Sequence, residues 1–139
     1  FIYKPLVTKK DTGYPITVTS ISQTIIDCLN NIGLAGGIEE LLLALIEVAP
    51  DSVIAQDMFE CLKLYQKKSL YQRTGFILSQ LQEQLNLSDM FFDVCKKKMG
   101  NTTSYLTNPS RCDTYFKEWN VCAPKDVMKE IEKGVYYEF

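Results

Sequence analysis

The sequence predicts an α+β fold, with a helix-rich centre of about five helices and a small sheet built from strands near both ends. Three observations lead there. Apolar residues recur at helical spacing through residues 20–99, β-branched and aromatic runs occupy the first 19 residues and again residues 103–123, and turn residues separate these blocks. Residues 1–139 read as a single domain, because the chain shows neither an internal repeat nor a low-complexity linker.

The elements follow in order. Phe1-Ile2-Tyr3 and Ile16-Thr17-Val18-Thr19 read as extended runs around Asp11-Thr12-Gly13, a hairpin signal. Ser20-Ile21-Ser22-Gln23 is a capping box that opens a first helix, with Ile21, Ile25, Cys28 and Leu29 on one face. Asn30, Asn31 and Gly33 end it, and Gly33 to Gly37 form a tight connector. The second helix carries Ile38, Leu41, Leu42, Leu45, Ile46 and Ala49, a stripe that Leu43 and Ala44 broaden, so it is expected to be central. Pro50-Asp51-Ser52 stops it and caps the third helix, which has Ile54, Met58, Cys61, Leu62 and Tyr65 on one side. A fourth helix carries Leu70, Thr74, Ile77, Leu78, Leu81 and Leu85. Ser88 caps a fifth, with Phe91, Phe92, Val94, Cys95 and Met99. Thr103 to Leu106 and Trp119 to Cys122 read as short strands around the turn Asn108-Pro109-Ser110-Arg111. A last short helix follows Pro124, with Val127, Met128 and Ile131. The strands at the two ends are expected to share one sheet.

Composition excludes several chemistries. With 15 basic and 17 acidic residues the net charge is −2, and there is no histidine. Catalytic triads with a histidine base and His-liganded metals are therefore impossible within this chain. The cysteines at 28, 61, 95, 112 and 122 form no C-x-x-C pair, and three lie in apolar helical settings that suit reduced, buried thiols. No metal, cofactor or catalytic residue is expected, and a reducing cytoplasm fits the thiols. The longest strictly apolar run, Leu41 to Ile46, is far short of the ~20 residues that span a bilayer. The chain starts at Phe1 without Met, which suggests that a longer protein has lost an N-terminal part.

Two polar residues stand out on apolar helix faces. Asp27 is flanked by Ile25, Ile26, Cys28 and Leu29, and Arg73 lies between Leu70 and Ile77 at helical spacing. A buried charge needs a partner, so an Asp27–Arg73 pair linking two helices is expected. Gly36 and Gly37 precede a helix start, but Glu39 and Glu40 follow at once and would repel a phosphate there. Residues 1–60 carry a net charge of −5 and residues 61–139 a net of +3. Lys67, Lys68, Lys96, Lys97 and Lys98 could form a basic surface.

Several motifs then occur in a fixed order. Ser22-Gln23-Thr24-Ile25-Ile26-Asp27-Cys28-Leu29 is followed by Leu34-Ala35-Gly36-Gly37-Ile38-Glu39-Glu40, then Tyr71-Gln72-Arg73-Thr74-Gly75-Phe76-Ile77-Leu78, then Tyr105-Leu106-Thr107-Asn108-Pro109 and Trp119-Asn120-Val121. Across residues 16–123 this order resembles the C-terminal antitoxin domain of AbiEi-type proteins, from bacterial type IV toxin–antitoxin abortive-infection systems. Departures are Gln23 in place of Arg, Asn108 in place of Asp, Thr74 and Ser79 in place of Leu and Glu, and Cys122-Ala123 in place of Val-Asn. The resemblance implies a non-enzymatic phage-defence domain that opposes a nucleotidyltransferase toxin without a stable complex. It also implies that DNA is bound only through an N-terminal winged helix absent from this chain. Asp27, Gly36, Gly37, Glu39, Glu40, Arg73, Gly75 and Trp119 are the matching positions, expected to maintain the fold. The competing expectation is a helical protein- or effector-binding module of a transcriptional regulator with no toxin partner.

Overall fold

The computed structural model describes residues 7–9, 16–18, 20–49 and 52–125. The run Phe1 to Tyr3, the turn at Asp11 to Gly13 and the helix expected after Pro124 lie outside the described residues. Five α-helices form the centre: α1 (Ile21–Asn30), α2 (Ile38–Ile46), α3 (Ala55–Tyr65), α4 (Lys68–Ser79) and α5 (Asp89–Lys98). The strands are β1 (Val7–Lys9), β2 (Ile16–Val18), β3 (Ser104–Tyr105), β4 (Thr114–Phe116) and β5 (Val121–Ala123). The expected α+β class with a helix-rich core is what the chain adopts.

The sheet differs from the expected one in its pairing. β1 and β2 form their own antiparallel hairpin, with Thr8 opposite Thr17. The C-terminal strands form a separate mixed sheet in the order β3-β5-β4, with β5 parallel to β3 and antiparallel to β4. The strand β4 escapes sequence reading because it is three residues long and mostly half-exposed. The run starting at Trp119 is also shorter than expected. Residues 117–120 form a turn that Asn120 closes at a φ of 53°, and β5 begins at Val121.

The central helix is α4 rather than α2. It packs against α1, α3, α5, β3 and β5, and eight of its residues are buried. Five of the six stripe residues of α2 are buried as expected, but Ala49 lies past the helix end and is exposed, as are Leu43, at 61%, and Ala44. Those two continue the apolar run without continuing the buried stripe. Ile54, expected on the buried side of α3, is instead its N-cap and is exposed. The helix α4 stops at Ser79, yet Leu81, Leu85 and Leu87 stay buried in the turn that follows. Their apolar spacing therefore mimics helix without requiring it.

Caps are partly as read. Ser20 Oγ accepts the Gln23 N–H at 3.2 Å, but the buried Gln23 side chain does not return the bond, since its Oε1 has no partner among the described residues. Ser88 precedes α5 without a side-chain cap bond. Ser52 does not cap α3, whose N-cap is Ile54; its hydroxyl donates back to the Ala49 carbonyl at 2.6 Å.

One contact joins the sheet to the helices. Gly75 lies on α4 directly beneath the Trp119 ring, and a Cβ there would stand 2.2 Å from Trp119 Cζ3. That is far inside van der Waals contact, so the ring can occupy this place only because residue 75 has no side chain. Phe92 meets the same indole edge-on, with centroids 6.4 Å apart, and Phe76 meets Phe116 at 4.7 Å. Overpacking of this kind costs about 3 kcal/mol at the upper end of the usual range. Gly75→Ala is therefore expected to lower the unfolding free energy in urea by about that amount. Leu43→Ala, on the exposed side of α2, is expected to change it by less than about 0.5 kcal/mol.

Candidate functional site

The polar residues singled out by the sequence gather around the last two turns of α1. Ser22 Oγ accepts the Ile54 N–H at 2.7 Å and ties the start of α1 to the segment before α3. One turn on, Asp27 is buried, and its Oδ1 accepts the Tyr65 hydroxyl at 2.5 Å and the Cys61 thiol at 3.7 Å. Both donors come from α3, so the carboxylate stitches α1 to α3.

Arg73 meets a different acceptor set. Its Nη1 donates to the Leu29 and Asn30 carbonyls at 3.3 and 3.1 Å, and its Nε donates to Ser104 Oγ at 3.3 Å. The expected Asp27–Arg73 ion pair does not form. The reason lies in helix geometry: the last carbonyls of α1 have no partner within the helix and carry the negative end of its dipole, so they take the guanidinium. Arg73 thus caps α1 from α4 and reaches β3 in the same stroke. Burial draws its pKa below the usual arginine range.

Gln72, next to Arg73, is a site residue that charge-based reading misses. Its side-chain Nε2 is within hydrogen-bond distance of three backbone carbonyls, Thr102 at 2.9 Å, Asn120 at 3.0 Å and Trp119 at 3.3 Å. Residues 72, 75 and 76 share one face of α4, the face the sheet covers. A glutamine on that face is the available signal. Gln72, Arg73 and Gly75 together fasten α4 to α1 and to the sheet.

The glycine connector is structural. Gly36 and Gly37 have φ of 88° and 104°, a region that L side chains rarely adopt, and a Cβ on Gly36 would press on Glu40 Cγ at 3.0 Å. Their N–H groups bond the Gly33 and Ile32 carbonyls, which leaves no cradle for a phosphate. Glu39 and Glu40 occupy the first turn of α2. Glu39 pairs with Arg111 at 2.5 Å, and this bond holds its carboxyl below the usual carboxylate range. Both partners are half exposed, so the pair adds little stability.

The five lysines divide. Lys96 bonds Glu118 at 2.7 Å and lies 5.2 Å from the Trp119 ring centre. Lys67 donates to Asn30 Oδ1 at 3.0 Å, and Lys98 stands 5.9 Å over the Tyr71 ring. Lys68 lies beside Gly100. The start of α4 and the end of α5 therefore bring Lys67, Lys68 and Lys98 to one end of the molecule, and Lys97 is exposed beside Lys98.

This arrangement holds the fold together but offers no poised nucleophile. Burial, helped by the Asp27 charge, pushes the Cys61 thiol up to about 12, and burial pushes Cys95 up to about 12 as well. Both stay protonated at neutral pH. Among the described residues no group of three or more Cys, Asp and Glu is placed to hold a metal ion. A surface depression of about 260 Å³ is lined by Ser79 to Gln84 and by neither Asp27, Gln72, Arg73 nor Gly75. No helix of the described residues is long and apolar enough to cross a membrane.

Two outcomes are expected from these contacts. Tyr65→Phe removes a donor to a buried carboxylate and should cost about 2 kcal/mol of stability in urea unfolding, a typical value for a bond to a charged group. The thiols give a pH dependence. Between the unfolded pKa and the raised folded value of about 12, the native state keeps protons that the unfolded chain has lost. Stability should therefore fall as pH rises above about 9, by up to about 1.4 kcal/mol per pH unit for each thiol. Urea midpoints measured across this range should fall less steeply in a Cys61→Ala, Cys95→Ala double variant.

No family model matches the chain, and neither a curated protein nor a solved structure matches it.

Proposed function

We infer that the chain is a non-enzymatic antitoxin and regulatory domain. In this reading it works in the cytoplasm and counteracts a nucleotidyltransferase toxin as a functional antagonist, without a stable complex. DNA binding belongs to a winged helix preceding it in a longer protein. The reading rests on the ordered resemblance to AbiEi-type domains. One structural observation supports it above the others: residues of three of the five motifs, with Ser104 beside a fourth, meet in one connected set of contacts. Asp27 from the first motif, Gln72, Arg73 and Gly75 from the third, Ser104 just before the fourth and Trp119 from the fifth link α1, α3, α4 and the sheet. The pushed-up thiols and the occupied Asp27 carboxylate also favour a role without chemistry.

The test is co-expression with a nucleotidyltransferase toxin encoded next to the chain's gene. The chain should restore growth, and Tyr105→Ala or another exposed change should keep that rescue while Gly75→Trp abolishes it through misfolding. Failure of the well-folded chain to relieve toxicity would remove the antitoxin reading.

A further inference from the structure

Charge is segregated along the chain, and the fold concentrates the imbalance. Segments 28–38, 61–82 and 94–112 contain no Asp or Glu. The end of α1, the junction of α3 with α4 and the end of α5 belong to these segments and meet at one end of the molecule. Lys67 reaches Asn30, and Lys68 Cβ lies 3.1 Å from the place of a Cβ on Gly100. Lys63, Lys67, Lys68, Lys97 and Lys98 are exposed, and none forms an ion pair among the described residues. Leu64, beside Lys63, is 52% exposed.

The outer face of α2 is the opposite case. Glu40, Leu43, Ala44 and Glu47 recur at i, i+3, i+4 and i+7, all exposed, with Leu43 at 61%. Neither Glu40 nor Glu47 forms an ion pair among the described residues.

Some charges of each patch work against their own helix. Lys67 and Lys68 stand at the positive end of α4, whose first turn has no acidic residue, and Glu47 stands at the negative end of α2. These three charges are disfavoured by their own helices and would be relieved by a partner of opposite sign, whereas Lys63, Lys97, Lys98 and Glu40 stand at helix ends that favour them. The two patches match in charge and in having an exposed leucine.

We propose that the lysine end of one copy docks on the outer face of α2 of a second copy. The contact joins two different surfaces, so it is head-to-tail and builds rings or open chains. It depends on exposed charges and is therefore sensitive to salt. This self-association stands independently of the antitoxin reading.

Sedimentation velocity of the nucleic-acid-free chain tests it, in about 0.01 M salt (Debye length ~30 Å) and about 1 M salt (~3 Å). Mass should rise with concentration in low salt and return to that of a single chain in high salt. A Lys63→Glu, Lys67→Glu, Lys68→Glu variant and a Glu40→Lys, Glu47→Lys variant should each be monomeric in low salt. Mixed together they should associate, because the first keeps its acidic α2 face and the second keeps its lysine end. That rescue separates a lost contact from a lost fold. A chain that is monomeric in low salt overturns the proposal. So do association that survives either charge reversal, a mixture that stays monomeric, and a monomer whose lysine end retains a labelled DNA duplex instead.

Discussion

The seating of Trp119 on Gly75 is the constraint on which the rest of the arrangement depends. The C-terminal sheet is only three short strands, and two- and three-residue strands do not hold themselves together in water. What stabilises them is the indole lying against the bare backbone of α4, with Phe92 across it and Phe116 against Phe76 beside it. Gln72 holds the same segment by its carbonyls, so the two strand-bearing segments around Thr102 and Asn120 cannot lift from the helix independently. Packing dominates this choice: the Trp119 indole N–H is buried with no partner among the described residues.

From that seat the polar links run outward along α4. Arg73, two residues before Gly75, spans β3 and the open end of α1. Asp27, one turn before that end, carries the link on to α3 through Tyr65 and Cys61. A single helix thus collects both ends of the described core, which is why α4 is central while α2, the most apolar helix by sequence, stays at the side. The helix α2 is instead held by its buried apolar residues Ile38, Leu41, Leu42, Leu45 and Ile46, with Gln84, whose side-chain amide bonds the Ile46 carbonyl, at its end.

Helix identity is legible because period-3.6 burial leaves a direct trace in the sequence: Leu70, Thr74, Ile77 and Leu78 are all buried where the stripe places them. Helix ends are less legible. Leu81 and Leu85 extend the same spacing but sit in a turn whose bonds run to the third or fourth residue back, and periodicity alone does not separate the two. Centrality is hidden for a related reason, since a long apolar run such as Leu41 to Ile46 says how much can be buried and nothing about how many neighbours there are to bury it against. Asp27 and Arg73 are legible as anomalies, but their partners are not. Opposite charges suggest a pair, whereas the acceptors that capture Arg73 are backbone carbonyls that every sequence carries. Gln72 is invisible to a search guided by charge. Gly75 is visible as a motif residue, but its reason, an indole from 44 residues further on, requires the fold.

The sheet and the helices form one cooperative unit, joined at Trp119. As the chain's single tryptophan, Trp119 reports on that junction alone. The most direct measurement follows urea unfolding by Trp119 fluorescence and by far-ultraviolet circular dichroism on the same samples. The two transitions should superimpose, with equal midpoints and slopes. A fluorescence change completed while the helical signal is still intact would mean that the sheet detaches on its own, and the central role given to the Gly75 seat would be wrong.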